Sequence, residues 1–256
     1  MEKWRIVQTE LRKVKKLNIV IVENFDQMSE HAANMLRNQI LTKPDSVLGL
    51  ATGSTPLGVY RLLAEYHEMS LDFSEITTFN LDEYIGLAAD HPASYRYYME
   101  ENLFSKVNAA KKNIHIPNGM APDLEKECER YELSIQNAGG IDIQILGIGT
   151  NGHIGFNEPG TEFGTTTHVV DLTESTINDN ARFFESRDDV PTQAISMGIK
   201  SIMKARNIVL MANGESKADA IVQAVKGPVT TDLPASVLQL HPSVTFVVDK
   251  AAASKL

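Results

Sequence analysis

In GIGTNGHIGFNEPG, residues 147–160, one imidazole (His153) and one carboxylate (Glu158) stand among five glycines, directly after the apolar run IDIQIL. An imidazole titrates near neutral pH and moves a proton in either direction. A carboxylate that accepts its second ring N–H fixes the tautomer and raises the basicity. Glycines let the backbone approach a ligand closely. Gly147, Gly149 and Gly152 also match G-x-G-x-x-G, the dinucleotide fingerprint, and Asp171 lies about the right distance on. That fingerprint needs a helix opening at its third glycine. Here Gly155, Pro159 and Gly160 follow, which oppose a helix. The fingerprint also belongs to a first βα unit, and several such units precede this one. The stretch reads as an irregular loop able to do acid–base chemistry, not as a nicotinamide site.

Three further places offer reactive or anion-binding groups. Asp82 and Glu83 end the run TFNLDEY. Neighbours on an extended chain point to opposite faces, so only one of them can address a pocket; a carboxylate there can serve as a base. TGSTP, residues 52–56, joins an apolar run to a helical pattern. Pro56 suits the first helical position and Ser54 or Thr55 the cap. Such a junction presents backbone N–H groups to an anion, although the GK[ST] element of a Walker loop is missing. In NGESKA, Lys217 falls in the first turn of a helix, where a cation is disfavoured unless an anion meets it; Arg182, in NDNARFF, is a second candidate. The remaining histidines show no metal-ligand spacing, so no metal is expected. Cys128 is the single cysteine and lies in a charged helical stretch, which reads as structural.

These groups need elements to carry them. Strands are expected at 17–23, 46–52, 75–83, 141–149, 167–173, 206–212 and 243–249. Helices are expected at 29–43, 56–69, 94–107, 123–140, 174–184 and 216–227. Several strands are continuously apolar, which requires cover on both faces. Alternation of strand and helix implies right-handed crossovers. The expectation is one α/β domain over 17–256: a mostly parallel, doubly wound (Rossmann-like) sheet with helices on both faces. Residues 1–16 form a basic extension ahead of it. In such a sheet ligands bind at the carboxyl ends of the strands, and all four places above follow a strand.

Bulk properties narrow the function classes. The formal charge is −9, which argues against a nucleic-acid partner that relies on a basic surface but leaves room for a local anion site. No stretch approaches the roughly 20 apolar residues of a membrane span. One cysteine excludes an internal disulfide and points to a cytoplasmic location.

Taken together, the segments LGLATGSTPLGVY, TTFNLDEYIGL, HPASYRYYM, GIGTNGHIGFNEPG, NARFF, SKA and PASVLQLHP resemble the glucosamine-6-phosphate deaminase (glucosamine-6-phosphate isomerase) family. They run in the family's order from about residue 17 to the C-terminus. The resemblance implies ring opening, aldose–ketose isomerisation and release of ammonia in amino sugar catabolism, with fructose 6-phosphate as product and no cofactor. It puts Asp82 at the base that moves the C2 proton to C1, His153 at the ring-opening acid/base and Glu158 at its partner. Gly53, Ser54, Thr55, Arg182 and Lys217 fall on phosphate-binding positions, and the segment after Glu158 on a lid. Asn151 stands where many members have aspartate. It retains an acceptor for orienting an imidazole but supplies no charge, so Glu158 should matter more. The chain ends at AAASKL, shorter than the regulated hexameric members, which implies a monomer or weak homo-oligomer without allostery. Two rivals are weaker. A 6-phosphogluconolactonase shares the fold but carries Arg after the DE pair, where this chain has Tyr84. A sugar-phosphate sensor needs a DNA-binding unit for which 16 residues are too few.

Overall fold

The computed structural model describes residues 17–181 and 184–256; the expected extension 1–16 and Arg182 lie outside the described residues. The strands are β1 (Asn18–Val22), β2 (Val47–Leu50), β3 (Thr77–Asn80), β4 (Asp82–Tyr84), β5 (Ile114–His115), β6 (Ile143–Leu146), β7 (His168–Asp171), β8 (Gln193–Ser196), β9 (Asn207–Ala212) and β10 (Val244–Asp249). The helices are α1 (Phe25–Thr42), α2 (Leu57–Glu68), α3 (Tyr95–Asn102), α4 (Leu124–Asn137), α5 (Glu174–Asn180), α6 (Ile199–Ile202) and α7 (Ala218–Lys226).

Seven strands form a parallel sheet in the order β1-β10-β9-β6-β2-β3-β5. β2, β6 and β10 are buried at every position and β9 at all but its first. Such strands lie beneath cover on both faces, hence their largely apolar, non-alternating sequences. The chain moves outward from β2 through β3 to β5, then jumps back and moves the other way through β6, β9 and β10. The direction reverses between β2 and β6. A crevice opens at such a switch point because the loops that follow the two strands leave in opposite directions.

One expected strand divides. Residues 75–83 read as a single run, but β3 ends at Asn80 and β4 joins a separate antiparallel sheet of order β4-β8-β7. Leu81 is the pivot: its N–H still donates to Leu50 in the parallel sheet (3.0 Å), while its carbonyl accepts from Met197 beside the small one (2.7 Å). The expected strand at 167–173 is β7 of this small sheet. β5, β8 and α6 were not anticipated. They are two to four residues long, too short to show a period. Tyr84, Phe156, Leu172, Ile177, Val190 and Ala194 pack as a second apolar cluster apart from the main core. The small sheet and α5 thus rest on the cavity side of the molecule with a core of their own.

Candidate active site

A cavity of about 620 Å³ lies over the carboxyl ends of β2, β3, β6 and β9. Thr52 to Thr55 line it after β2, Asp82 after β3, Gly147 to Thr150 with His153 after β6, and Asn213, Ser216 and Lys217 after β9. Tyr95 and Tyr98 of α3 and Thr176 of α5 complete the wall. Residues scattered from 51 to 217 converge because parallel strands deliver all their following loops to one edge.

The glycines of the 147–160 loop do different jobs. Gly149 closes a tight turn: its N–H donates to the His153 carbonyl (2.9 Å) and its carbonyl accepts from Gly152 (3.1 Å). A Cβ on Gly149 would lie 2.4–2.6 Å from three atoms of the His153 ring, so this glycine makes room for the imidazole. Gly152 has φ +85°, a left-handed conformation costly for other residues. No helix opens there, in agreement with the rejection of a dinucleotide loop.

His153 Nδ1 stands 3.5 Å from Glu158 Oε2. That is an ion-pair separation, long for a hydrogen bond, of the kind that tightens when substrate binds. Glu158 is buried. Burial pushes its carboxyl up, but the His153 imidazole, the Thr176 hydroxyl and the Asn151 amide outweigh it and hold the group down at about 2. It is therefore a carboxylate throughout the working range. Asn151 differs from expectation. Its Nδ2 donates to Glu158 Oε2 (2.7 Å) and its Oδ1 accepts the backbone N–H of His153 (3.2 Å). It orients the carboxylate and the loop, with no bond to the imidazole ring. Asn151 and Glu158 stand behind His153, outside the cavity wall.

The adjacent carboxylates Asp82 and Glu83 separate as the pleat requires, yet both are buried, not solvated. Glu83 accepts three backbone N–H groups, from Tyr84, Tyr95 and Arg96, each at 2.9 Å. It ties β4 to the start of α3, where the helix dipole favours an anion, and so fixes the helix that carries Tyr95 and Tyr98. Asp82 faces the cavity. Burial, then the neighbouring Glu83 charge, raises its carboxyl to about 8. A buried carboxyl with a strongly raised proton affinity at the edge of a cavity is suited to taking and returning a proton.

The TGSTP junction also differs from expectation. α2 begins at Leu57, Pro56 is the cap residue, and neither Ser54 nor Thr55 caps it through a side chain. Gly53, Ser54 and Thr55 line the cavity instead, beside the uncapped helix start. Tyr98 donates to the Gly53 carbonyl (2.6 Å) and braces the turn. Lys217 lines the same cavity, at the end of a 3₁₀ turn that precedes α7. Sequence reasoning passed over Tyr95, Tyr98 and Thr176. The two tyrosines are spaced i, i+3 behind the cap Ser94, so they share a helix face, a legible signal; Thr176 had none. Among the described residues no group of three or more His, Cys, Asp or Glu could hold a metal ion, and no helix is long and apolar enough to cross a membrane.

The family model "Glucosamine-6-phosphate isomerases/6-phosphogluconolactonase" matches residues 22–247. A curated glucosamine-6-phosphate deaminase of Thermoanaerobacter pseudethanolicus is 58% identical over 239 residues, 93% of this chain and 94% of its own. That of Halothermothrix orenii is 58% identical over 241 residues, 94% of this chain and 100% of its own. A solved monomeric glucosamine-6-phosphate deaminase superposes with a TM-score of 0.92 at 47% identity, covering 94% of this chain and 100% of that one. A 6-phosphogluconolactonase from Thermotoga maritima superposes at 0.73 with 24% identity over 92% of this chain and all of that one, a likeness of fold alone. A match over most of the chain, by family model and by close relatives alike, means that this chain belongs to the glucosamine-6-phosphate isomerase/6-phosphogluconolactonase family.

Proposed function

We propose that this protein converts glucosamine 6-phosphate to fructose 6-phosphate and ammonia, in amino sugar catabolism. The observation that carries the reading is the meeting of Asp82 and His153 in one cavity that also holds the Gly53–Thr55 turn and Lys217. Relatives 58% identical bear the name of this activity.

The phosphate sits on Gly53, Ser54 and Thr55, where the uncapped start of α2 offers N–H groups, and pairs with Lys217; Arg182 is assigned to the same group by the family resemblance. Anchoring that end orients the reacting carbons. His153, with Glu158 as its charged partner and Asn151 holding that partner, moves the proton between ring oxygen and anomeric hydroxyl, giving the open aldehyde. Asp82 takes the C2 proton, which leaves a C1–C2 enolamine, and returns it to C1. Water adds to the resulting C2 imine and ammonia departs, leaving the ketose. A cationic amino group on the bound sugar favours the ionised form of Asp82, countering the burial that keeps it neutral in the free protein.

Turnover by the free enzyme therefore needs Asp82 ionised, and kcat/KM should rise with pH toward a midpoint near 8. A coupled assay of ammonia release from glucosamine 6-phosphate tests the reading; hydrolysis of 6-phosphogluconolactone without ammonia release would replace it. We also propose a cytoplasmic enzyme, since Cys128 is a buried free thiol. Likeness to a monomeric deaminase supports a monomer or weak homo-oligomer with hyperbolic kinetics; sigmoidal rates would contradict that.

A further inference from the structure

Among the described residues the two carboxylate oxygens of Glu158 have three partners. Oε2 accepts from the Asn151 amide at 2.7 Å and faces His153 Nδ1 at 3.5 Å, while Oε1 accepts from the Thr176 hydroxyl. The imidazole is the loosest of the three, so it cannot be what sets the carboxylate's orientation. A glutamate carboxyl turns easily about its last bond. Both of its oxygens must be held for one to stay aimed at the ring, and among the described residues Thr176 alone holds Oε1. The Thr176 hydroxyl is itself directed. Thr173, which caps α5, donates its hydroxyl to Thr176 Oγ1 at 3.1 Å. With Thr173 supplying one proton, the single proton of Thr176 is committed to the carboxylate. Thr176 is buried, so this bond meets little competition from water.

We propose that Thr176 is a positioning residue for the acid–base pair: oriented by the α5 cap Thr173, it holds Glu158 turned toward His153. The proposal rests on the reading of His153 and Glu158 as the ring-opening pair. Because Thr176 also lines the cavity, it makes a further claim that a direct substrate contact would not: its effect passes through the Glu158 charge.

The test is a double-mutant cycle on turnover of glucosamine 6-phosphate, with Thr176→Val and Thr176→Ser made in the intact chain and in Glu158→Gln. Thr176→Val keeps the shape and removes the donor. It should lower kcat about tenfold with KM within about twofold, as expected for loss of one hydrogen bond to a charged group. Thr176→Ser should recover most of the rate. In the Glu158→Gln background the same Thr176→Val change should cost less than about twofold, because residues acting as a unit are not additive. Equal cost in both backgrounds, an unchanged kcat, or a raised KM with kcat kept would overturn the proposal. The last would mark Thr176 as a substrate contact. A Glu158→Gln protein with undiminished turnover would instead remove the reading on which the proposal rests. Should Thr176→Val not fold, Thr176→Ala reads the same cycle.

Discussion

Two buried aspartates sit at opposite ends of the parallel sheet. Asp142, just before β6, is 3% exposed and Asp82, just after β3, is 6% exposed. Asp142 accepts from Lys43 Nζ at 2.9 Å, Arg206 Nη1 at 2.9 Å and the Val47 backbone N–H at 2.8 Å. It joins α1, β2 and β9 around the amino edge. Asp82 has burial and the Glu83 charge acting on it, and both favour its neutral form. Burial of a carboxyl is thus compatible with either stability or chemistry, and the partners decide which. The amino edge spends its buried carboxylate on holding strands together. The carboxyl edge leaves one poorly compensated, which is costly for folding and useful for moving protons.

The sharpest way to break this contrast is Asp82→Asn. Ammonia release should fall at least about a thousandfold, as for loss of an essential base. Stability should move the other way. Asp82 keeps its proton in the folded chain up to about pH 8, whereas in the unfolded chain it ionises near the ordinary carboxylate value. The unfolded state therefore binds fewer protons between those limits, and the contribution to stability declines as pH rises through that window. Removing the group should raise Tm at pH 8 by about 3–6 °C and change it little at pH 4. An unchanged or lowered Tm at pH 8 would mean that Asp82 is not a source of instability.

Asp142→Asn should give the reverse pattern. It strands two cations, but Lys43 and Arg206 are about half exposed and can turn to water. The expected cost is about 1–2 kcal/mol in urea unfolding, with kcat within about twofold of the parent. A larger loss of turnover than of stability would show that the two edges are coupled.

Glu83→Gln sharpens the comparison at its reactive end. Removing the neighbouring charge should lower the Asp82 proton affinity and move the acid limb of kcat/KM down by about one pH unit. A limb that stays in place would leave burial as the whole cause. The smallest effect is expected from Asn151→Asp. It sets a second carboxylate against Glu158 Oε2, which should raise the proton affinity of the pair while turnover near neutral pH stays within about threefold. Loss of turnover at neutral pH would mean that the amide donor, not only Glu158, is indispensable.

Much of this was legible before any fold was in hand. The largely apolar runs of β2, β6, β9 and β10 read as strands covered on both faces, and the glycines and Pro159 after Gly152 opposed the helix a dinucleotide site requires. The departure of β4 into a second sheet was not legible, because local pattern specifies extended backbone without naming its partner; Leu81 sits between two sheets by tertiary hydrogen bonds. For the same reason the expected helix starts shifted: Ser54 and Thr55 turn to the cavity and leave α2 uncapped, and Lys217 closes a 3₁₀ turn and stands at the cap of α7, one residue ahead of its first turn.

By itself, then, the sequence determined which residues bear groups able to move protons and which of the longer stretches run extended, since residue chemistry and local periodicity are properties of short segments. Only the tertiary structure decided which member of the Asp82–Glu83 pair faces the cavity, that Asn151 grips Glu158 and not the imidazole, and that Thr176 belongs to the same network. Those outcomes depend on contacts between segments far apart in the chain, set by the shared carboxyl edge of a parallel sheet, and no local pattern encodes them.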